Sequence, residues 1–254
     1  MLTIDYNSYR SVSSFNKRVR FLVLHYTAVN FEESIKALTS TVSAHYLVPD
    51  PMDRSYIDAG FKGVRVFNIV DENDRAWHAG TSSWSGRNNI NDTSIGIETV
   101  NLARDDDGIF TFPNFNSDQI EAITELAWNI IQRYPDIAPT NVVGHSDIAV
   151  GRKSDPGAAF PWKELYSAGI GAWYDDSGKD KYMEKFSIDF PSKSEIVAKL
   201  RRYGYDVSGT DSDVGYANLL RAFQLHFRQS NYSGNVDLET CAIIYALVDK
   251  YFPV

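Results

Sequence analysis

The chain has 254 residues and a single cysteine, Cys241. No intramolecular disulfide can form, which excludes a disulfide scaffold and a cysteine-rich metal knuckle. No run approaches the roughly 18 apolar residues of a membrane span, so no transmembrane segment is expected. Positive charge is scarce: 25 Lys and Arg stand against 33 Asp and Glu, a net charge of -8. That sign opposes a grip on a phosphate backbone and argues against nucleic acid as a partner. Residues 1–20 contain neither an apolar h-region nor a small-residue cleavage site, so no secretory signal is legible. What is present is the balance of a folded protein: 43% hydrophobic and 23% charged residues, with 5 Trp, 15 Tyr and 14 Phe.

Periodicity predicts an α/β fold with a mixed central sheet flanked by helices. Apolar, β-rich runs at Val19–Leu24, Ala44–Val48, Val64–Val70, Ser94–Val100 and Asn141–Gly144 read as strands. Asn30, with Glu33 three residues on, opens a helix through Ile35, Leu38 and Val42. Ser117 caps a second helix, whose Ile120, Ile123, Ala127, Ile130 and Ile131 keep helical spacing until Pro135 stops it. This helix is expected to cover one face of the sheet. From Asp175 to Lys181 the text turns polar, and with Pro191 it predicts a linker. Beyond it a three-helix unit is expected: one helix opened by the box Ser192…Glu195, one with Tyr216, Leu219, Leu220, Phe223 and Phe227 on one face, and one from Asp237. The division is thus 1–178 and 190–254.

Of the histidines, His25 and His145 end predicted strands, where side chains project from a rigid edge into a cleft. Ten residues separate His145 from Asp155, enough for a loop to fold back and set a carboxylate beside the imidazole. Two imidazoles and a carboxylate make a catalytic zinc set, because three protein ligands leave the fourth tetrahedral position open. Glu98 is a carboxylate in an apolar strand, on the face shared by Gly96 and Val100. If that face looks at the cation, Glu98 can shuttle a proton between attacking water and leaving nitrogen. Lys153, two residues before Asp155, is placed to stabilise an oxyanion.

The ordered segments Phe21–Thr27, Ser43–Leu47, Trp77–Gly80, Asn91–Glu98 and Val143–Ala149, continuing through Lys153–Gly157, resemble the AmpD and AmiD type of zinc-dependent N-acetylmuramoyl-L-alanine amidase. The resemblance covers most of residues 15–175. It implies that His25, His145 and Asp155 hold one zinc ion, that Glu98 is the catalytic carboxylate and that Lys153 is the second catalytic residue. The implied reaction is hydrolysis of the amide between the lactyl group of muramic acid and the L-alanine of the peptidoglycan stem. Leu200–Tyr205, Leu220–Gln224 and Tyr232–Thr240 resemble the three-helix peptidoglycan-binding domain often attached to wall hydrolases.

The expected partner is therefore peptidoglycan or its muropeptides, and the expected site of action is the periplasm, reached by a specialised route or after loss of a leader, with the cytoplasm as the alternative. Two alternatives share the resemblance: a recycling amidase restricted to soluble 1,6-anhydro-muropeptides, and a non-catalytic peptidoglycan-recognition protein. Tyr46, Trp77, His78 and Trp84 are the candidate substrate contacts, and each has a structural reading beside it. The acidic run Asp105–Gly108 lacks the spaced ligands of a calcium loop and reads as a solvated turn. His226 and Cys241 have no partner spacing and read as structural. No dimer seam is marked, which leaves the oligomeric state open.

Overall fold

A computed structural model describes residues 18–106 and 108–253, together with Ser8. The start of the expected 1–178 unit and Asp107 of the acidic run lie outside the described residues. Strand β1 (Phe21–Tyr26) leads into helix α1 (Phe31–Leu38), strand β2 (Tyr46–Val48), helix α2 (Arg54–Asp58) and strand β3 (Phe67–Asn68). A small hairpin, β4 (Ser83–Trp84) and β5 (Arg87–Asn88), precedes β6 (Ser94–Thr99), and a second hairpin, β7 (Arg104–Asp106) and β8 (Ile109–Thr111), follows it. The long helix α3 (Ser117–Arg133) returns the chain to β9 (Val142–Gly144), which runs directly into the single turn α4 (His145–Ile148) and then to α5 (Trp162–Ser167).

The main sheet has the order β3-β2-β6-β1-β9, with β3 antiparallel and the other neighbours parallel, so the expected mixed sheet is present. Its inner strands read as near-continuous apolar runs because both faces are covered. Ile95 and Ile97 share one buried core with Ile123, Ala127 and Ile130 of α3, as the spacing predicted. The cap of α3 is Asn116, not Ser117: the Asn116 side chain accepts from Asp118 N, and Gln119 Oε1 accepts from Asn116 N. Helix α1 opens at Asn30 as expected but stops at Leu38, and Val42 is exposed. Thr39, Ser40 and Thr41 each bond a carbonyl four residues back, a local alternative that ends the helix early.

The linker expected from Asp175 to Pro191 is instead helix α6 (Asp176–Ile188). Only Tyr182 and Phe186, one turn apart, are buried on it, and both pack on Tyr245 with ring centroids 5.3 and 4.7 Å away. Two aromatics on an otherwise polar helix are too thin a stripe to read as a period, yet enough to dock it. Helices α7 (Lys193–Tyr203), α8 (Asp213–Phe227) and α9 (Leu238–Tyr251) follow the predicted plan. Ser192 caps α7 with Glu195 bonding back, and Asp237 accepts from Thr240 N at the start of α9. From Ala222 to Phe227 every residue of α8 is buried, because this helix lies between its own bundle and the sheet domain. One continuous apolar core runs from Val19 in the first unit to Val248 in the last helix.

Candidate metal centre and cleft

In the parallel register His25 on β1 stands beside Glu98 on β6, while Leu24 pairs with Gly144 at the end of β9, which puts His145 at the same edge. These are the carboxyl ends of parallel strands, where open α/β sheets form their crevices. The loop after α4 brings the third group back: Ser146 N donates to the Asp155 carbonyl at 2.9 Å, and the Tyr26 hydroxyl lies 2.7 Å from Ser154 Oγ. Gly157, with φ +80°, closes the loop against Phe112 where a Cβ would sit 2.4 Å from the ring.

The result is a buried triad. His25 Nδ1 and His145 Nδ1 are 3.1 Å apart, and Asp155 Oδ2 lies 2.9 Å from the first and 3.0 Å from the second. What faces the centre follows from the far nitrogens. His145 Nε2 sits 3.0 Å from the Ala79 carbonyl, which can only accept, so Nε2 carries the proton and Nδ1 offers a lone pair. His25 Nε2 is 2.9 Å from His78 Nδ1, and His78 Nε2 is 3.0 Å from Ser94 Oγ. A relay in which His25 donates to His78 and His78 to Ser94 likewise turns the His25 Nδ1 lone pair inward. Burial holds the His25 imidazole down to about 4 and His78 well below its usual range, which keeps both rings neutral. Two neutral lone pairs and an anionic oxygen converging on one point fit a cation of the zinc type, with each imidazole oriented by a partner on its other nitrogen.

Glu98 stands at the rim of this triad, its Oε1 3.9 Å from His25 Nδ1 and its Oε2 buried with no hydrogen-bond partner among the described residues. Burial pushes its pKa well above the carboxylate range, the nearby Asp155 adds to this, and Lys153 counters it. Lys153 is exposed on the wall of the same cleft. The cleft has a volume of about 580 Å³, and its lining includes Trp77, His78, Glu98 and Lys153 together with Asn218, Arg221 and Leu225 of α8.

The candidate substrate contacts separate. Trp77 is 65% exposed and lines the cleft, with the Arg75 guanidinium 4.3 Å from its ring centroid. His78 borders the cleft but is bonded on both nitrogens, so it supports His25. Tyr46 is turned away, donating to Glu72 Oε1 at 2.7 Å beside Arg133. Trp84 is 1% exposed, donates to the Thr140 carbonyl and packs on Tyr203 and Tyr205, so as a substrate contact it is corrected to a core residue. The large ring fills the seam between the two units, where apolar area is most profitably buried.

Three supporting groups were not legible in the sequence. Gly96 has no room for a side chain, since a Cβ would meet the His78 ring at 2.5 Å. Arg152 donates to the Ala79 and Thr81 carbonyls and braces the segment that orients His145. Asp147, fully buried, accepts from Gly144 N, from Tyr205 and from His226, so that His226, read as a residue without partners, ties α8 to the turn carrying His145. The only cue was the cluster of motifs around Trp77–Gly80 and Val143–Ala149. The partners themselves are 58 to 79 residues away.

Residues 15–158 match the profile described as N-acetylmuramoyl-L-alanine amidase. The chain is 43% identical over 238 residues to "N-acetylmuramoyl-L-alanine amidase AmiD" of Escherichia coli (strain K12), covering 92% of this chain and 84% of the relative. A solved structure of AmpDh3 from Pseudomonas aeruginosa in complex with anhydromuramic pentapeptide superposes with a TM-score of 0.95 at 63% identity, covering 99% of both chains. AmiD from E. coli, solved with anhydro-N-acetylmuramic acid-L-Ala-D-γ-Glu-L-Lys, superposes with a TM-score of 0.85 at 40% identity, covering 97% of this chain and 95% of that one.

Proposed function

From the premise that this chain belongs to the N-acetylmuramoyl-L-alanine amidase family, we propose that His25, His145 and Asp155 hold one zinc ion and that Glu98 and Lys153 carry the proton and charge transfers of its reaction. The chain is a hydrolase that cleaves the amide between N-acetylmuramic acid and the L-alanine of the peptidoglycan stem peptide. The observation that carries the zinc assignment is the convergence of the two Nδ1 lone pairs and Asp155 Oδ2 within 3.1 Å of one another beside an unpartnered carboxylate. When bound, the cation supplies Lewis acidity, making a water molecule a nucleophile near neutral pH and polarising the scissile carbonyl.

This chain's own residues do the rest. Glu98, made basic by burial, accepts the proton of the attacking water at its free oxygen and returns it to the leaving nitrogen of L-alanine. The Lys153 ammonium faces the cleft and offsets the negative charge that develops on the carbonyl oxygen. The relay His25–His78–Ser94 and the Ala79 carbonyl keep both ligand imidazoles in the binding tautomer. Trp77 offers its exposed ring to a sugar or to the peptide.

Residues 1–178 form the catalytic unit in this reading, and residues 190–254 the unit that keeps the enzyme on peptidoglycan, raising the local substrate concentration. The bound compounds, an anhydromuramic pentapeptide in AmpDh3 and anhydro-N-acetylmuramic acid-L-Ala-D-γ-Glu-L-Lys in AmiD, favour soluble anhydromuramyl peptides as substrates alongside the intact wall. A wall substrate supports work in the cell envelope. Among the described residues no helix is long and apolar enough to cross a membrane.

The test is to incubate the protein with anhydromuramyl tripeptide and with sacculi, with and without a chelator, and to identify products by mass spectrometry. Free stem peptides beginning with L-alanine, lost on chelation and restored by zinc, are expected from both. Glu98→Gln should lower kcat by roughly 10²–10⁴-fold while metal analysis still finds one zinc, and Lys153→Ala by roughly 10²–10³-fold. A Glu98→Ala variant with the wild-type rate would remove the assignment of that role.

A further inference from the structure

Part of the wall of the cleft that Trp77 and Lys153 line is built by α8, a helix of the C-terminal unit. Asn218, Arg221, Ala222 and Leu225 face it, at the i, i+3, i+4 and i+7 spacing of a single helical face. The approach is close: a Cβ on Gly151, four residues before Asp155 in sequence, would lie 2.7 Å from Asn218 Nδ2. The helix is therefore packed against the very loop that supplies Lys153 and Asp155.

On this face stands one cation, Arg221. It is half-buried, and its guanidinium is held by Asn218 Oδ1 at 3.4 Å and by the Ser233 carbonyl at 3.2 Å, with the Phe110 ring centroid 5.7 Å away. No carboxylate among the described residues pairs with it, although the chain carries 33 Asp and Glu. Of the other guanidiniums lining the cleft, Arg152 is already committed to the Ala79 and Thr81 carbonyls, and the exposed Arg104 has no partner among the described residues that would hold it in place. Arg221 is thus a pre-oriented, uncompensated fork of donors at a site that receives an anionic peptide, and guanidinium pairs with carboxylates in that geometry.

The stem peptide supplies such a group at a fixed place. In an L-Ala-D-γ-Glu sequence the glutamate is linked through its side-chain carbonyl, which leaves its α-carboxylate free one residue beyond the scissile bond. We infer that Arg221 binds this α-carboxylate, so that the C-terminal helices form part of the specificity pocket as well as a hold on the wall. The inference rests on the amidase reading given above. It makes the second unit a contributor to recognition of each individual stem peptide.

The experiment compares hydrolysis of two soluble compounds, anhydromuramyl-L-Ala-D-γ-Glu-L-Lys and the same peptide with the glutamate α-carboxylate converted to a carboxamide, by wild type, Arg221→Gln and Arg221→Lys. Thermal unfolding midpoints serve as the check that the variants fold. Wild type should prefer the carboxylate in kcat/KM by roughly 10- to 100-fold, expressed mainly in KM, the worth of one hydrogen-bonded charge pair. Arg221→Gln should discriminate by less than about threefold, and Arg221→Lys, which keeps the charge but not the fork, should lie between. A wild type indifferent to the change, or an Arg221→Gln variant that keeps the full preference, overturns the inference while leaving the amidase intact. Wild type that releases no stem peptide from either compound overturns the amidase reading and this inference with it.

Discussion

Removing the hydroxyl of Tyr205 should destabilise the whole protein, although that residue lies in the C-terminal unit and its partner in the catalytic one. Tyr205 Oη donates to Asp147 Oδ1 at 2.6 Å, and His226 Nδ1 donates to Asp147 Oδ2 at 2.7 Å, which also accepts from Gly144 N at 2.7 Å. Asp147 is fully buried, and the His226 ring is stacked 3.7 Å from Trp162. In Tyr205→Phe the ring packing against Trp84 is kept while one oxygen of a buried carboxylate loses its partner, at a cost of about 1.5–3 kcal/mol. For a protein of this size each kcal/mol moves the melting midpoint by roughly 2–4 °C, so Tm should fall by about 3–12 °C. His226→Leu leaves the other oxygen with the Gly144 N–H alone and should likewise cost about 1.5–3 kcal/mol. Because both act on one carboxylate, the double variant should lose less than the sum. The assay is differential scanning calorimetry at pH 7 with zinc held constant, since a bound metal shifts Tm by mass action. A single cooperative transition is expected, because the core is continuous from Val19 to Val248. A Tyr205→Phe midpoint within 1 °C of wild type, or two wild-type transitions of which the variant moves only one, would refute this account of how the units are joined.

Gly96→Ala places a methyl group 2.5 Å from the His78 ring, so the relay behind His25 must shift; zinc affinity measured by chelator competition should fall by roughly 10–100-fold. Cys241 is buried and its thiol is pushed up to about 12 by burial, with Asp237 adding to the effect. The native protein should not react with a thiol reagent at pH 8 until denaturant is added. The sign of the linked stability follows from the raised value: the folded state keeps this proton while the unfolded thiol gives it up near 9, so the thiol's contribution is complete below about pH 9 and is lost as pH rises towards about 12. Urea midpoints measured between pH 8 and 11 should decline, and a Cys241→Ala variant should decline less steeply.

Much of the fold was open to reading because its signals are local. The parallel strands β1 and β6 are short apolar runs, α7 carries its capping box in four residues, and α9 begins at Asp237 as its side chain requires. Where local signals were thin, the reading failed. Helix α6 is polar except for Tyr182 and Phe186, and nothing in its own residues announces that Tyr245 waits for them. The hairpin β7–β8 is made from two three-residue runs, Arg104–Asp106 and Ile109–Thr111, too short to show a period.

The candidate metal set and its neighbouring carboxylate could be picked out from the sequence itself, because such a set is a matter of chemistry: two imidazoles at strand ends, a carboxylate ten residues past the second, and an ionisable residue in an apolar strand. Only the tertiary structure decided which way those groups face. The lone pairs of His25 and His145 point inward because His78, itself bonded to Ser94, and the Ala79 carbonyl take the other nitrogens, and these two partners lie 53 and 66 residues from the rings they orient. The structure likewise moved Trp84 from the cleft to the core and brought Arg221 into the cleft from the far unit. A side chain's type is fixed by the sequence, but its solvation and its partners depend on contacts that close over long loops, and these exist only once the chain has folded.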